Sequence, residues 1–334
     1  MATFKGWEKG DVILQDGSVE TGIQPIIISA SRATDLPAFF SDWFINRFRA
    51  GYSKWTNPFN ANQVQYVSFE KTRLFVFWSK NPQPLLRYLP EIDERGINYY
   101  FQFTINDYEQ EQLEPNVPSL QTRIDTFKRL SDQLGKERVI WRFDPLILSD
   151  ALSVDLLLDR VANVANQLTG FTEKLVISFA DIQSYRKVQN NLSKVIAYKD
   201  FSAELMCEFA EKLKAANKQW GLKIATCAEN IDLKKYDIEH NRCIDDDLMV
   251  RLFNKDTALM NFLGYEPNLF DDASWSYFKD KGQRKECGCM VSKDIGMYNT
   301  CSHFCAYCYA NASQTAVQNN LLKHSAKAES LIGK

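Results

Sequence analysis

The sequence predicts an α/β fold of the (β/α) barrel type, and three observations carry that prediction. Short apolar runs alternate with segments of helical spacing about seven times, which is typical of a parallel sheet covered by helices. Several of these runs end in polar residues. Hydrophobic residues make up 45% of the 334 residues, enough for a large core. This many repeats suits a full or partial TIM-type barrel better than an open doubly wound sheet, which is the alternative.

A polar N-terminal extension, residues 1–24, precedes the repeats. Turn sequences at Lys9-Gly10 and Asp16-Gly17 predict a hairpin within it. Residues 25–334 are predicted to form a single domain, since (β/α) barrels often reach this size as one domain.

The first strand–helix unit begins with the apolar run 25–31, which is predicted to be a buried strand. Residues 37–48 follow with aromatic side chains at helical spacing. In the polar loop between them, Asp35 stands where a helix N-cap residue is expected.

The same order of strand and helix recurs along the chain. The predicted strands are 73–79, 97–104, 138–144, 174–180 and 222–227, and helices are predicted at 85–94, 120–134, 154–168 and in a stretch ending near Trp220. Residues 63–70 add a hairpin strand before the second unit. A looser region, residues 228–290, follows the last of these strands, and residues 291–327 again show strand, loop and helix.

Polar residues stand at the ends of several predicted strands. Lys80 follows one apolar strand directly, and Arg142 and Asp144 end another. In a barrel such strand ends share the face that carries the chemistry, so these three are candidate catalytic residues. The alternatives are that strand ends are polar because they meet water, or that these residues form structural ion pairs.

Composition narrows the classes of partner. The formal net charge of -2 gives no support to nucleic acid binding, although nucleic acid stays open as a substrate class. There is no apolar run of about 18 residues and no signal-peptide pattern at the N-terminus, so we expect a cytoplasmic protein without a membrane partner. In that compartment the eight cysteines favour metal ligation over disulfides.

Cys301, Cys305 and Cys308 have the spacing C-x3-C-x2-C in a loop between a predicted strand and helix. Three thiolates can converge on one metal centre and leave a fourth coordination position open, as a reactive site requires. The spacing favours a [4Fe-4S] cluster over zinc, whose sites usually pair two C-x2-C knuckles.

Four further cysteines are candidate ligands of a second metal centre. Cys227 ends a strand, Cys243 lies in the loop beyond it, and Cys287-Gly-Cys289 just precedes the last predicted strand. Four thiolates would close a second [4Fe-4S] cluster, with zinc less favoured. Scattered buried thiols are the alternative for Cys227 and Cys243.

The residues around the first cysteine motif carry a family resemblance. C-x3-C-x2-C is the motif of the radical S-adenosylmethionine superfamily, and residues 298–310 resemble the corresponding string of spore photoproduct lyase, with Thr300 in place of a glycine. Over its length the chain resembles a bacterial family of unassigned function, domain of unknown function 1848. The stretches behind that resemblance are 28–38, 77–82, 141–145, 227–229, 287–289 and 294–296.

The position of the motif implies a circular permutation. In the superfamily the motif follows the first barrel strand, whereas here it lies near the C-terminus. Residues 293–298 would then be the topological first strand and residues 25–31 the second. A barrel permits this order because its first and last units are neighbours.

The resemblance also implies roles. Cys301, Cys305 and Cys308 would ligate the [4Fe-4S] cluster, and Tyr307 would pack on the adenine of S-adenosylmethionine. Ser29, Ser31, Arg32 and Asp35 lie in the segment that corresponds to the superfamily's amine-binding segment, although its glycines are lacking here. Lys80 and Arg142 would face the cofactor carboxylate or an anionic substrate group.

The implied activity is reductive cleavage of S-adenosylmethionine to a 5′-deoxyadenosyl radical that abstracts hydrogen from an unknown substrate. The resemblance further implies a reducing partner such as flavodoxin or ferredoxin. The alternative is a non-catalytic iron–sulfur or zinc protein that senses, transfers electrons or binds a partner.

Overall fold

The computed structural model describes residues 4–57, 60–265 and 278–333. The strands there are β1 Lys9–Ile13, β2 Val19–Ile23, β3 Ile27–Ala30, β4 Tyr52–Asn57, β5 Asn60–Ser68, β6 Leu74–Ser79, β7 Asn98–Thr104, β8 Val139–Leu146, β9 Leu148–Ser149, β10 Lys174–Phe179, β11 Tyr198–Lys199, β12 Lys223–Thr226, β13 Ile238–His240 and β14 Lys293–Asp294. The helices are α1 Leu36–Phe39, α2 Ser41–Ala50, α3 Gln83–Leu86, α4 Leu89–Glu94, α5 Leu120–Leu134, α6 Val154–Leu168, α7 Arg186–Leu192, α8 Ala203–Asn217, α9 Asp246–Phe253, α10 Thr257–Leu263 and α11 Gln314–Leu321.

The main sheet within the described residues has eight strands in the order β13-β12-β10-β8-β7-β6-β3-β14, and each pair is parallel. Neighbours follow chain order except at one edge, where the last strand lies beside the first of the sheet. There Lys293 pairs with Ile28 and Asp294 pairs with Ser29. This is the neighbour relation that the permuted order predicts.

The predicted closed barrel is not shown. Over the described ranges no pairing joins β13 to β14, so neither the full nor the partial form of the predicted barrel is established by the strand pairing. What the structure has in common with the prediction is the large parallel sheet with helices between its strands.

Both faces of this sheet are buried, as is usual for parallel strands. Phe75 and Phe77 of β6 belong to the core formed with the helices, whereas the alternate residues Leu74 and Val76 belong to a second buried cluster. That second cluster includes residues from 243–263 and 287–290. The region predicted to be loose therefore contains α9 and α10 and packs against the face of the sheet opposite the first core.

Helix bounds follow local chemistry. α5 and α6 span the predicted residues, and the hydroxyls of Ser119 and Ser153 cap their first turns. The predicted helix 85–94 is instead two short helices, because Pro90 lacks the N–H that a continuous helix needs at that position. The helix predicted in residues 291–327 is also short, ending at Leu321.

The N-terminal extension is part of a second sheet. β1 and β2 form the antiparallel hairpin, and β2 continues into a sheet with the order β1-β2-β5-β4. The C-terminal tail joins this sheet, where Ser330 bridges to Lys54 and the indole of Trp43 donates to the carbonyls of Ala328 and Ser330 at 3.0 and 3.1 Å. The N-terminal hairpin and the C-terminal tail thus lie at opposite edges of this second sheet.

Among the residues described, no helix has the length and apolar character needed to cross a membrane.

Candidate metal and cofactor site

The cysteine loop, residues 301–308, follows β14 on the carboxyl side of the parallel sheet. Phe304 adopts a φ of 53°, which turns the chain sharply between the first two cysteines. The thiols of Cys301, Cys305 and Cys308 line one cavity of about 280 Å³. The predicted motif therefore folds into a loop whose three cysteines border the same cavity.

The same cavity gathers residues from several strand ends. The predicted cofactor and catalytic residues that line it are Ser31, Arg32, Asp35, Lys80, Asp144 and Tyr307. Ser29 and Arg142 do not line it. The clustering at the ends of β3, β6 and β8 is what the shared face of a parallel sheet predicts.

Main-chain contacts fix the loop to the segment that follows β7. The N–H of Ala306 donates to the Leu113 carbonyl at 2.9 Å, and the Asn116 amide donates to the Ser302 carbonyl at 2.8 Å. On the other side, the Asn311 amide donates to the Cys301 carbonyl at 2.8 Å. Because these bonds hold the backbone, the three thiols are positioned before any ligand binds.

Asp35 joins the loop to the sheet. One of its carboxylate oxygens is 2.8 Å from Nε2 of His303 and accepts from the N–H of Lys80 at 2.7 Å. The other accepts from the Ser79 hydroxyl at 2.7 Å and from the N–H of Ala38 at 3.0 Å, which caps α1 as predicted. Asp35 therefore positions the cysteine loop by holding His303, and its oxygens are already occupied by these donors.

Lys80 and Tyr307 meet at a buried carboxylate. Lys80 Nζ is 2.7 Å from Glu114 Oε1 and 2.9 Å from the Tyr307 hydroxyl, which also hydrogen-bonds Glu114. Asn106 donates to the same hydroxyl at 2.9 Å. Burial lowers the pKa of Lys80, but Glu114 and then Cys305 raise it further, so the ammonium stays charged. The ring of Tyr307 is left to face the cavity.

The cavity thiols are protonated when no metal is bound. They open partly to the cavity but have protein on most sides, and this burial raises the pKa of Cys301 to about 12. Burial also raises the pKa of Cys305 and of Cys308. The charge of Lys80 offsets only part of this rise. Thiolates form here only with a positive partner such as a metal, whose binding releases the protons.

Ser29, Ser31 and Arg32 are tied to β14 through Asp294. The two serine hydroxyls donate to its carboxylate at 2.8 and 2.7 Å, and the Arg32 N–H donates at 2.8 Å. A Cβ on Gly296 would lie 2.0 Å from Ser31 Oγ, so only glycine allows this approach. The N–H of Gly296 also donates to Oδ1 of Asp294 at 2.8 Å. This side-chain bond ends β14 earlier than predicted.

Arg142 lies behind the cavity instead of on it. Its guanidinium binds Asp144, which does line the cavity, and its Nη1 donates to Gln102 at 3.2 Å and to the sulfur of Cys243 at 2.9 Å. Arg142 thus forms an ion pair with Asp144, one of the alternatives given above, and it also contacts a second cysteine group.

That second cysteine group consists of Cys227, Cys243, Cys287 and Cys289, and the structure brings all four together. The sulfurs of Cys227 and Cys243 are 3.7 Å apart, and the N–H of Cys243 donates to the sulfur of Cys289 at 3.2 Å. The thiols of Cys287 and Cys289 hydrogen-bond each other. Cys207 is separate, in α8 against the helix-side core.

Over the described part of the chain, no three His, Cys, Asp or Glu side chains are grouped closely enough to hold one metal ion. That finding concerns a single ion, whereas an iron–sulfur cluster binds each cysteine through its own iron atom.

A family model described as Domain of unknown function (DUF1848) matches residues 27–310. The chain belongs to this family. The matched range begins with the first residue of β3 and ends shortly after Cys308, so it includes the parallel sheet and both cysteine groups. No curated protein and no solved structure matches the chain.

Several residues at the site of this DUF1848 chain were not predicted. Glu114 and Asn106 reach the hydroxyl of Tyr307 from the segment after β7, where no motif marks them. Ser178 and Arg284 line the cavity, and the Ser178 hydroxyl binds Asp144. Only Asp294 could have been anticipated, because it lies in one of the stretches that carry the family resemblance.

Proposed function

We propose that this chain is a radical S-adenosylmethionine enzyme in which Cys301, Cys305 and Cys308 hold a [4Fe-4S] cluster. The observation that carries the proposal is that these three thiols line one cavity together with charged and aromatic side chains. Three cysteine ligands leave one iron free for a further ligand. When bound, the cluster supplies the electron that cleaves S-adenosylmethionine to the 5′-deoxyadenosyl radical, which abstracts hydrogen from the substrate.

The donor set fits the cluster. All eight cysteines are free thiols, so none of the three is lost to a disulfide. Burial raises the pKa of the Cys305 thiol, and the nearby charge of Lys80 offsets part of that rise. His303 lies inside the motif, but its ring is occupied by Asp35 at 2.8 Å, so it supports the loop and leaves ligation to the thiols.

The chain's own residues divide the remaining tasks. Asp35 and Glu114 fix the loop and Tyr307, so that the tyrosine ring forms part of the cavity wall. Asp181 and Tyr185, which follow β10, and Arg284 also line the cavity and offer polar groups to a substrate. We propose that the cofactor lies beside the cysteine loop and that these three residues hold the substrate in the same cavity.

The permuted barrel is part of the same proposal. The position of β14 beside β3 supports a permuted order, and the buried cluster under residues 243–263 supports a sheet that curves around its contents. We also propose a reducing cytoplasmic setting with an electron donor such as flavodoxin or ferredoxin, because all the cysteines are free thiols.

The test is anaerobic purification and reconstitution, followed by assay of 5′-deoxyadenosine after reduction in the presence of S-adenosylmethionine. We expect wild type to form the product and Cys305→Ala to lose at least tenfold. Cys207→Ala is the matched control, since it removes a thiol from α8, away from the cavity. Equal product from wild type and Cys305→Ala would overturn the assignment. Zinc without iron after anaerobic work would instead support the non-catalytic alternative.

A further inference from the structure

We propose that Cys227, Cys243, Cys287 and Cys289 form a second metal site, a tetrathiolate that takes an iron–sulfur cluster. The site stands independently of the proposed function, because it uses none of the cysteines of the cavity. It lies where the segments that follow β12 and β13 meet the segment 287–290.

The four sulfurs form a continuous group. Cys227 contacts Cys243 at 3.7 Å, Cys243 contacts Cys289 through its own N–H at 3.2 Å, and Cys289 hydrogen-bonds Cys287. Cys243, Cys287 and Cys289 are each less than a tenth exposed. The four cysteines come from three separate segments of the chain, so local sequence proximity does not explain the grouping.

Nitrogen donors are directed at these sulfurs. Arg142 Nη1 lies 2.9 Å from the sulfur of Cys243, and the Asn241 amide lies 3.2 Å from the same atom. A neutral thiol is a weak acceptor, whereas metal-bound thiolates commonly receive such N–H bonds. The surroundings of Cys243 are therefore those of a ligated sulfur more than of a buried thiol.

One buried guanidinium nitrogen of Arg32 has no hydrogen-bond acceptor among the described residues. Arg32 lies close enough to Cys289 and Cys243 for their charges to interact, and its Nη1 reaches Asp280 at 3.4 Å. Its Nη2 is buried without a hydrogen-bond partner among the described residues. A guanidinium N–H left unpaired in the interior is costly, which indicates that an acceptor completes the site.

Two occupants are candidates, a zinc ion and an iron–sulfur cluster. The 3.7 Å between the Cys227 and Cys243 sulfurs is close to the roughly 3.8 Å expected for two ligands of one tetrahedral zinc ion. A closed zinc site, however, needs all four sulfurs on one ion, and among the described residues not even three ligands are grouped closely enough for that. A cluster binds each cysteine through its own iron atom, and its inorganic sulfides would also accept hydrogen bonds from donors such as Arg32. We therefore assign the cluster.

The experiment measures iron, sulfide and zinc per chain after anaerobic reconstitution of two full-length variants. In Cys301→Ala/Cys305→Ala/Cys308→Ala, which removes the first site, we expect about four irons and four sulfides to remain. In Cys287→Ala/Cys289→Ala, which keeps the first site, we expect iron to fall to about half of the wild-type content. Far-ultraviolet circular dichroism identical to wild type shows that each variant is folded.

The control is Cys207→Ala in the triple variant, which should leave the retained iron unchanged. Failure of S-adenosylmethionine cleavage alone would not bear on this site, because the retained iron is counted without turnover. The proposal is overturned if the triple variant retains no metal, or if Cys287→Ala/Cys289→Ala keeps the full iron content. Stoichiometric zinc in place of iron would overturn the assigned occupant.

Discussion

Asp35 connects three parts of the molecule through one carboxylate. Its donors are His303 in the cysteine loop, Ser79 and Lys80 at the end of β6, and Ala38 in α1. Each bond to a buried charged acceptor contributes about 1.5–3 kcal/mol, and loss of the helix cap alone costs about 1 kcal/mol.

Asp35→Ala should therefore lower the free energy of unfolding by about 3 kcal/mol or more, because several buried donors lose their acceptor at once. Urea denaturation of the metal-free protein is the measurement. Asp42→Ala is the control, since Asp42 forms an exposed pair with Arg87 and little change is expected. A loss for Asp35→Ala no larger than that of the control would show that the hydrogen bonds of Asp35 do not stabilise the fold.

Glu114 compensates two buried cations, Lys80 at 2.7 Å and Arg123 at 3.4 Å. Burial acts to raise the pKa of Glu114, but these two cations outweigh it and the pKa is lowered. Glu114→Gln should cost about 3–5 kcal/mol at neutral pH, because it leaves the buried cations without their counter-charge. The same change at Glu91, whose partner Arg49 is half exposed, should cost about 0–1 kcal/mol.

The pH dependence of that difference has a definite sign. A carboxyl whose pKa is lowered by folding stabilises the native state above its unfolded pKa and loses this contribution as the pH falls. The gap between wild type and Glu114→Gln should therefore narrow on acidification below the ordinary glutamate range. Urea denaturation at several pH values measures it, and a gap that is constant with pH would contradict the ionised state of Glu114.

The element that completes the sheet edge is β14, and its contact with β3 depends on a missing side chain. Gly296 approaches Ser31 so closely that an added Cβ would lie 2.6 Å from the Ser31 Cβ as well as meeting its hydroxyl. Gly296→Ala should separate Ser31 from Asp294 and destabilise the protein by about 1–3 kcal/mol, the usual cost of overpacking.

Thermal unfolding and iron content after reconstitution both test this, since displacement of β14 also moves the cysteine loop. Gly282→Ala is the matched control, because its Cβ would meet only the flexible side chain of Asp280, at 3.2 Å. If the two glycine variants behave alike, the close approach of Gly296 is not what holds β14 against β3.

Elements with strong local information were predictable, and those decided by tertiary contacts were not. α5 and α6 have serine caps and regular apolar spacing, so their bounds follow from the sequence. β13 has only three residues, too few to show a periodic pattern. It is a strand because it pairs with β12. The short β14 differs from prediction because Asp294 captures the Gly296 N–H, a side-chain bond that apolar patterns do not reveal.

At the level of the whole molecule, the C-terminal tail closes the structure over α2. Trp43 is buried and donates to the carbonyls of Ala328 and Ser330, while the Lys54 N–H donates to Glu329 at 2.9 Å. These are bonds to the main chain, so they depend on the presence of the tail more than on its side chains.

A chain that stops after Ser325 should thus lose about 3 kcal/mol or more, since each buried donor left unpaired costs about 1–3 kcal/mol. Thermal melting of the truncated and full chains is the comparison. Lys327→Ser is the control, because it keeps the carbonyl that Arg47 contacts at 3.4 Å. Equal melting temperatures for the full and truncated chains would contradict the role given to the tail.

In the candidate site too, residues marked by local sequence patterns were predictable and residues placed by tertiary contacts were not. Cysteine spacing predicts the loop at Cys301, and Cys287-Gly-Cys289 stands out as a pair just before the last predicted strand. Glu114 and Asn106 could not be found in this way, because they meet Tyr307 only through the packing of separate segments. The sequence therefore marks the candidate cysteines and strand ends, while the side chains that orient them are visible only in the fold.

The last strand of the parallel sheet in chain order, β14, lies beside its first strand, β3. This arrangement has a consequence for biosynthesis. β3 is among the first strands to be made, yet its partner β14 and the loop with Cys301 are among the last. Early domains of a chain can fold during translation, but this edge cannot form until residues 293–308 have been made. The cavity is therefore completed only after the other seven strands of the sheet have been made, and a ribosome that stalls before residue 291 yields a chain that lacks Cys301, Cys305 and Cys308.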